Sequence, residues 1–245
     1  MDNHLAAVVT LIGMACDVLG GLYLAYDLLG GENGPLARLT KIVNYSVLMI
    51  ILFLFTMGLK FALIVGIAFG TALGMHFDRI GKNIPDTNRF LFGIAVLRSV
   101  ATGIAVSLKA SPILAIVIAS AVFVMSLVLP KMNLSPTTLY QSSKKPQLNF
   151  KQLALAVALA ATATTVGIFG ASITGGDKST IHFSILFGAT FGMTVMVVTS
   201  VSPLIEWYSD HLPQKSFGTA GVVLFISGFI IQAIPSIATI FDAAK

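Results

Sequence analysis

Long apolar runs separated by short polar loops dominate this chain. A transmembrane helix needs about 17–25 mainly apolar residues, and eight runs meet that requirement. They are Leu5–Gly30, Ile42–Gly58, Phe61–Phe77, Phe90–Leu108, Ile113–Leu129, Gln152–Ile173, Ile181–Leu204 and Phe217–Phe241. Barrel strands alternate polar and apolar residues over about 10 positions, whereas stretches such as Val47–Phe55 are apolar throughout. Because lipid supplies no hydrogen-bond partners, the pattern predicts an all-α polytopic transmembrane helix bundle of about eight spans.

Composition excludes the common alternatives. Of 245 residues, 56% are hydrophobic and only 10% are charged, and the mean hydropathy is +0.91. Soluble domains carry about 25% charged residues, and disordered chains combine low hydrophobicity with high charge. A single cysteine excludes a disulfide framework. We therefore expect the lipid bilayer to be the principal partner of this protein.

The boundary between the second and third runs allows more than one interpretation, because only Gly58-Leu59-Lys60 separates them. Two spans, one continuous element and a re-entrant pair all fit Ile42–Phe77. Loop charges favour two spans: eight spans place ten Lys and Arg on one side and four on the other, whereas merging gives eight against five. Cytoplasmic loops carry the excess of positive charge, so the odd-numbered loops are predicted inside and both termini outside.

The polar stretch Lys131–Lys151 divides the chain into a first transmembrane half, residues 1–130, and a second, residues 152–245. We interpret the stretch as a cytoplasmic linker, since it is too short to bury a core. Phe69–Met75 resembles Phe187–Met193 at an offset of 118 residues. An offset of four spans preserves orientation, so the match predicts two related four-helix halves in a parallel repeat. A chance match between apolar segments is the alternative.

Small residues recur at helical spacing within two of these runs. Faces of this kind let the backbones of membrane helices approach closely, so we predict helix packing there; lining of a pore is the alternative. The residues concerned are Gly66, Gly70 and Gly74 in the third run and Gly188 and Gly192 in the seventh.

Ionisable residues inside the spans are the main candidates for function. Asp17 and Arg98 both lie near the middle of their runs, and Asp27 shares one helical stripe with Asp17. A charge at a helix centre costs about 2.5–3.5 kcal/mol on insertion scales, so two opposite charges at one depth predict a pair. The three residues could form a substrate or proton path, or the pair could only fix packing.

Motifs that would indicate catalysis are incomplete. Asp78–Asp86 resembles the first aspartate motif of prepilin-type aspartyl peptidases, and Thr174–Lys178 resembles their Gly-x-Gly-Asp motif, with Thr174 in place of the first glycine. The predicted topology separates Asp78 from Asp177 by about one bilayer, so an intramembrane aspartyl peptidase is the remote alternative. There is no His-Glu-x-x-His and no Walker A loop. We expect no catalytic residue, no metal, no cofactor and no enzyme activity.

Two terminal stretches carry a family resemblance. Tyr26–Gly31 with Gly34–Leu36, and Glu206–Pro213 with the later Gly218-x-x-Gly221 and Gly228–Gln232, together resemble a family of bacterial polytopic inner-membrane proteins of unknown function. The resemblance implies a location in the bacterial inner (plasma) membrane and implies no activity.

Two functions remain open from the sequence. The first is a small-solute or ion transporter or channel, with polar groups near the midplane. The second is a non-catalytic structural or assembly subunit of a larger membrane complex, with a homo-oligomer or other membrane subunits as partners. Basic residues lie in short loops and form no cluster with aromatic residues, so we expect no nucleic-acid partner.

Overall fold

A computed structural model describes residues 3–31, 34–131, 150–173, 178–211 and 215–243. These ranges contain eight α-helices and no strand. The helices are α1 (Asn3–Leu28), α2 (Ala37–Met57), α3 (Leu59–Gly81), α4 (Asn88–Ser107), α5 (Pro112–Lys131), α6 (Phe150–Ile173), α7 (Lys178–His211) and α8 (Lys215–Ala243).

All eight helices are long and apolar enough to cross a membrane, which confirms the predicted all-α fold with eight spans. This is a multi-pass integral membrane protein. The helices start and end near the predicted limits, with one large difference: α7 continues to His211, seven residues beyond the predicted end at Leu204. Hydropathy detects only the apolar part of a helix, and α7 extends past it into a polar sequence.

The chain between Ile42 and Phe77 forms two helices. Gly58 lies between α2 and α3 with φ of 81°, a left-handed conformation that glycine adopts without steric cost. Gly66 then lies against Ile50 and Gly74 against Ile42. Because the partner number falls as the glycine number rises, α2 and α3 are antiparallel, and the continuous-element alternative is excluded.

Contacts divide the chain into two compact units. The terminal unit comprises Met1–Thr40 and Trp207–Lys245, and it contains α1 and α8 packed against each other. The central unit comprises Lys41–Glu206, and within it α5 contacts both α4 and α6. Most of the predicted linker, residues 132–149, lies outside the described residues, so the division into halves at that stretch stays a prediction.

Aromatic side chains form the core of the central unit. Tyr45 of α2 stacks on Phe77 of α3 with ring centroids 4.8 Å apart. Phe69 of α3 meets Phe191 of α7 edge to face at 5.5 Å. Aromatic pairs in such geometries add to the energy of burial. The Phe69–Phe191 pair holds α3 beside α7 and so positions the cavity described below.

The glycines predicted to mediate packing lie at close helix contacts. A Cβ atom on Gly70 would overlap the backbone of Ser46 in α2, and one on Gly188 would overlap Thr164 in α6. Gly74 approaches Ile42, and Gly192 approaches Ala160. Two of the α3 glycines, Gly70 and Gly74, and their α2 partners Ser46 and Ile42 each have a counterpart 118 residues later in α7 and α6. This correspondence in the partners is independent of the motif match and supports the predicted repeat.

Candidate functional site

A largely apolar cavity lies inside the central unit, between α3, α4, α5, α6 and α7. The centre of a water molecule can move through about 110 Å³ of it. One buried water needs only about 10–15 Å³ by that measure, so the cavity has room for a small ligand. Its polar side chains are His76, Arg98, Ser126, Thr162 and Thr194.

Arg98 is the charged group of this cavity. Its guanidinium carbon lies 5.2 Å from the centroid of the Phe69 ring, a cation–π contact. Its Nε is fully enclosed and has no hydrogen-bond partner among the described residues, whereas the side chain as a whole is only half-buried and borders the cavity. The side chain therefore places a cation at the wall of the cavity.

His76 links the cavity to the loop between α3 and α4. Its Nδ1 lies 3.1 Å from Oδ2 of Asp86, and Nε of Arg79 lies 3.2 Å from the other oxygen of that carboxylate. The Arg79 guanidinium also lies 4.5 Å from the ring centroid of Phe90 and donates to the carbonyl of Pro85. These contacts fasten the loop to the end of α3 and hold the His76 ring at the cavity wall.

The pKa of Asp86 reflects this arrangement. Partial burial by itself raises the pKa of the carboxyl group, but the contacts with His76 and then Arg79 outweigh burial and hold the pKa below its ordinary value of 3.8. A lowered folded-state pKa stabilises the fold at pH values above the unfolded-state pKa. That contribution is lost as the pH falls through the folded-state pKa.

We expect Asp86→Asn to lower the melting temperature in detergent by roughly 1–4 °C at pH 5, the effect of a partly exposed ion pair in a chain of this size. Because the stabilising charge of Asp86 disappears in acid, the gap between variant and wild type should shrink between pH 5 and pH 3. A gap that stays constant over this range would contradict the ionic role of Asp86.

Asp78 of the first peptidase-like motif has a different partner from Asp86. Asp78 is buried and lies 2.7 Å from Nζ of Lys82, one helical turn later. Asp177 falls outside the described residues, so the peptidase hypothesis stays a prediction. In the described ranges, no group of three or more His, Cys, Asp and Glu side chains could hold a metal ion.

Asp17 and Asp27 belong to the terminal unit, where both face α8. The Asp17 carboxylate accepts a hydrogen bond from Nε2 of Gln232, while its Oδ1 is enclosed without a partner. Asp27 lies against Gly218. Gly13 and Gly20 on the same stripe of α1 approach Gly228 and Gly221 of α8, which lets the two helices pack closely. Asp27 and Gly218 belong to two of the stretches that carry the family resemblance, so these two stretches contact each other.

The predicted path residues are therefore distributed over both units. Asp17 and Asp27 lie in the terminal unit and Arg98 lies in the central one. The Asp17–Arg98 pair and the path through these residues stay predictions. Each of the two charged residues has a contact inside its own unit: Gln232 for Asp17 and the Phe69 ring for Arg98.

Sequence reasoning missed His76 as a site residue, although a signal for it exists. Three positions of α3 that line the cavity are Phe69, Leu73 and His76, and adding 118 to each gives three positions of α7 that also line it. Those are Phe187, Phe191 and Thr194. His76 and Thr194 are thus buried polar residues at equivalent positions of the predicted repeat, a coincidence that could have marked them.

Comparisons with protein-family models, with curated proteins and with solved structures found no match. The family resemblance drawn from the sequence therefore stays a prediction.

Proposed function

We propose that this protein is a transporter of a small solute and that the cavity around Arg98 is its solute site. The observation that carries the proposal is the guanidinium of Arg98, which borders a largely apolar cavity whose described lining residues include no carboxylate. An unpartnered polar atom in such surroundings costs about 1–3 kcal/mol, and more when it carries charge. A ligand with an acceptor group would offset that cost each time it binds.

The position of the cavity supports transport. Residues related by the 118-residue offset line it from α3 and from α7, so it lies at the interface of the predicted repeats. Solute sites at repeat interfaces are common in secondary transporters, where one repeat moves against the other around a fixed site. An arginine that only stabilised helix packing would not need to border a cavity at the interface of the predicted repeats.

The chemistry of the cavity wall favours binding over catalysis. Among the described residues that line it, the titratable side chains are His76 and Arg98, and neither a carboxylate nor a thiol is present. His76 already lies at ion-pair distance from Asp86. The wall thus offers a recognition group and lacks the paired acid and base that hydrolysis requires.

Purified protein in liposomes tests the proposal with a panel of radiolabelled carboxylates, phosphates, amines and sugars. We expect uptake of at least one solute, and we expect Arg98→Gln to reduce that uptake at least tenfold. The matched control is Arg89→Gln, the same change at an exposed arginine of α4, and it should transport normally. Absence of uptake for every solute, or uptake that survives Arg98→Gln, would contradict the proposal. A fixed set of co-purifying membrane proteins together with absent uptake would favour the subunit alternative.

A further inference from the structure

The cavity separates polar from apolar surface. Arg98 and His76 border it from α4 and α3, whereas α5 contributes mainly apolar side chains such as Ile118, Val122 and Met125. The hydroxyl groups of two other lining residues are already engaged, since Thr162 donates to the carbonyl of Ala158 and Thr194 to that of Thr190. One end of a ligand would therefore meet charge, and the rest would meet hydrocarbon.

The cavity is also long and narrow. Its lining residues extend on α7 from Phe187 to Val198, a distance of about 16 Å at 1.5 Å per residue. On α5 they extend from Ile118 to Pro130, about 18 Å. Since a water centre can explore only about 110 Å³ in total, the space is a slot along the helices. A slot of this shape accommodates an aliphatic chain better than a compact polar solute such as a sugar.

One positive charge is available to a ligand in this slot. The Arg98 guanidinium carbon lies over the Phe69 ring, 5.2 Å from its centroid, and the side chain borders the slot. A planar guanidinium binds the oxygens of a carboxylate, phosphate or sulfonate through two parallel hydrogen bonds. His76 contributes no second unmatched cation, because Asp86 lies beside its Nδ1.

We propose that the solute is a monoanionic amphiphile, with its anionic head group on Arg98 and its aliphatic chain in the slot between α5, α6 and α7. This inference rests on the proposed function and adds the chemical class of the solute. The head group is defined by its charge and its paired oxygens, a chemistry that carboxylates and sulfonates share.

Binding to the protein in nanodiscs of zwitterionic lipid tests the inference with five probes. Octanoate and 1-octanesulfonate carry the proposed head and chain, while octanamide and octylammonium keep the chain and change the charge. We expect the two anions to raise the melting temperature in a saturable manner and the other two probes to have no effect. Methanesulfonate, which keeps the head and lacks the chain, should bind at least tenfold more weakly than 1-octanesulfonate.

Two pairs of variants locate the binding. Arg98→Gln should weaken the apparent affinity for 1-octanesulfonate at least tenfold, whereas Arg89→Gln on the same helix should leave it unchanged. Ala163→Leu would fill part of the slot, since Ala163 lines it, and should also weaken binding. Ala158→Leu makes the same change at an exposed position of α6 and should not.

The outcomes separate this inference from the proposed function. Equal stabilisation by all octyl probes, anion binding that persists in Arg98→Gln, or equal affinity for methanesulfonate and 1-octanesulfonate would each overturn the amphiphile. Any of these results leaves Arg98-dependent uptake of another solute possible, and with it the transporter. Conversely, 1-octanesulfonate binding that depends on Arg98, without uptake of any solute, would support the amphiphile site and contradict transport.

Discussion

Gly70→Leu and Gly188→Leu should each remove most of the folded protein. A Cβ atom on Gly70 would overlap backbone atoms of Ser46, and one on Gly188 would overlap Thr164 and approach the carbonyl oxygen of Ala160 within 2.7 Å. Backbone atoms cannot rotate away, so the helices must separate along their length. Overpacking typically costs about 1–3 kcal/mol and occasionally more, and here the whole leucine side chain must be accommodated. Size-exclusion yield and melting temperature in detergent measure the loss.

Gly93→Leu is the matched control for both variants. Gly93 lies within α4, and a Cβ atom there would meet nothing within 4 Å. The leucine should be tolerated, and the loss of glycine from a helix interior should if anything be stabilising. If Gly70→Leu and Gly188→Leu melt as wild type does, the close contacts of α2 with α3 and of α6 with α7 would be refuted. If all three variants are lost, the effect would come from leucine in general.

The eight spans could be predicted because each depends on a local property, an apolar run long enough to cross the bilayer. The same locality explains what hydropathy could not decide. Whether Ile42–Phe77 forms one helix or two depends on the backbone conformation of Gly58, whose φ is 81°. Amino-acid composition carries no information about that backbone angle, and only the distribution of charge over the loops indicated two spans.

The cavity could be anticipated only in part. Arg98 stood out because charge is costly at the depth predicted for it. His76 did not, because its burial depends on contact with Phe90 and Asp86 across the turn between α3 and α4. The apolar walls come from helices far apart along the chain, and their individual sequences are indistinguishable from ordinary membrane spans.

For Asp17, the sequence predicts which face of α1 packs against another helix but does not predict which helix that is. Helical periodicity places Asp17 and Asp27 on one stripe of α1, and that stripe does pack against a helix. Periodicity cannot say which helix, and charge complementarity suggested Arg98. Within its own unit, Asp17 has an uncharged partner in α8, Gln232, which lies 215 residues later in the chain, and the pair with Arg98 stays a prediction.

Asp17→Ala should destabilise the protein by about 1–3 kcal/mol, because it leaves the half-buried amide of Gln232 without its acceptor. Gln232→Leu should have a comparable effect, since it strands the carboxylate. The double variant should lose less than the sum, because removing both partners of a buried hydrogen bond can be nearly neutral. Interhelical hydrogen bonds in membranes couple by about 0.6 kcal/mol on average and up to about 1.7 kcal/mol. We expect this pair at the upper end, and thermal unfolding of the four proteins measures the coupling.

Asp17→Asn distinguishes this hydrogen bond from a charge pair. Asparagine keeps the shape of the side chain and an acceptor oxygen, so the bond from Gln232 should survive and the loss should be small. A charge pair with Arg98 would instead make Asp17→Asn as damaging as Asp17→Ala, because either variant leaves the half-buried Arg98 cation without its counter-ion. The second cycle, Asp17→Ala with Arg98→Gln, measures that pairing directly. Coupling to Arg98 larger than coupling to Gln232 would contradict the hydrogen-bond prediction and favour the pair first inferred from depth and charge.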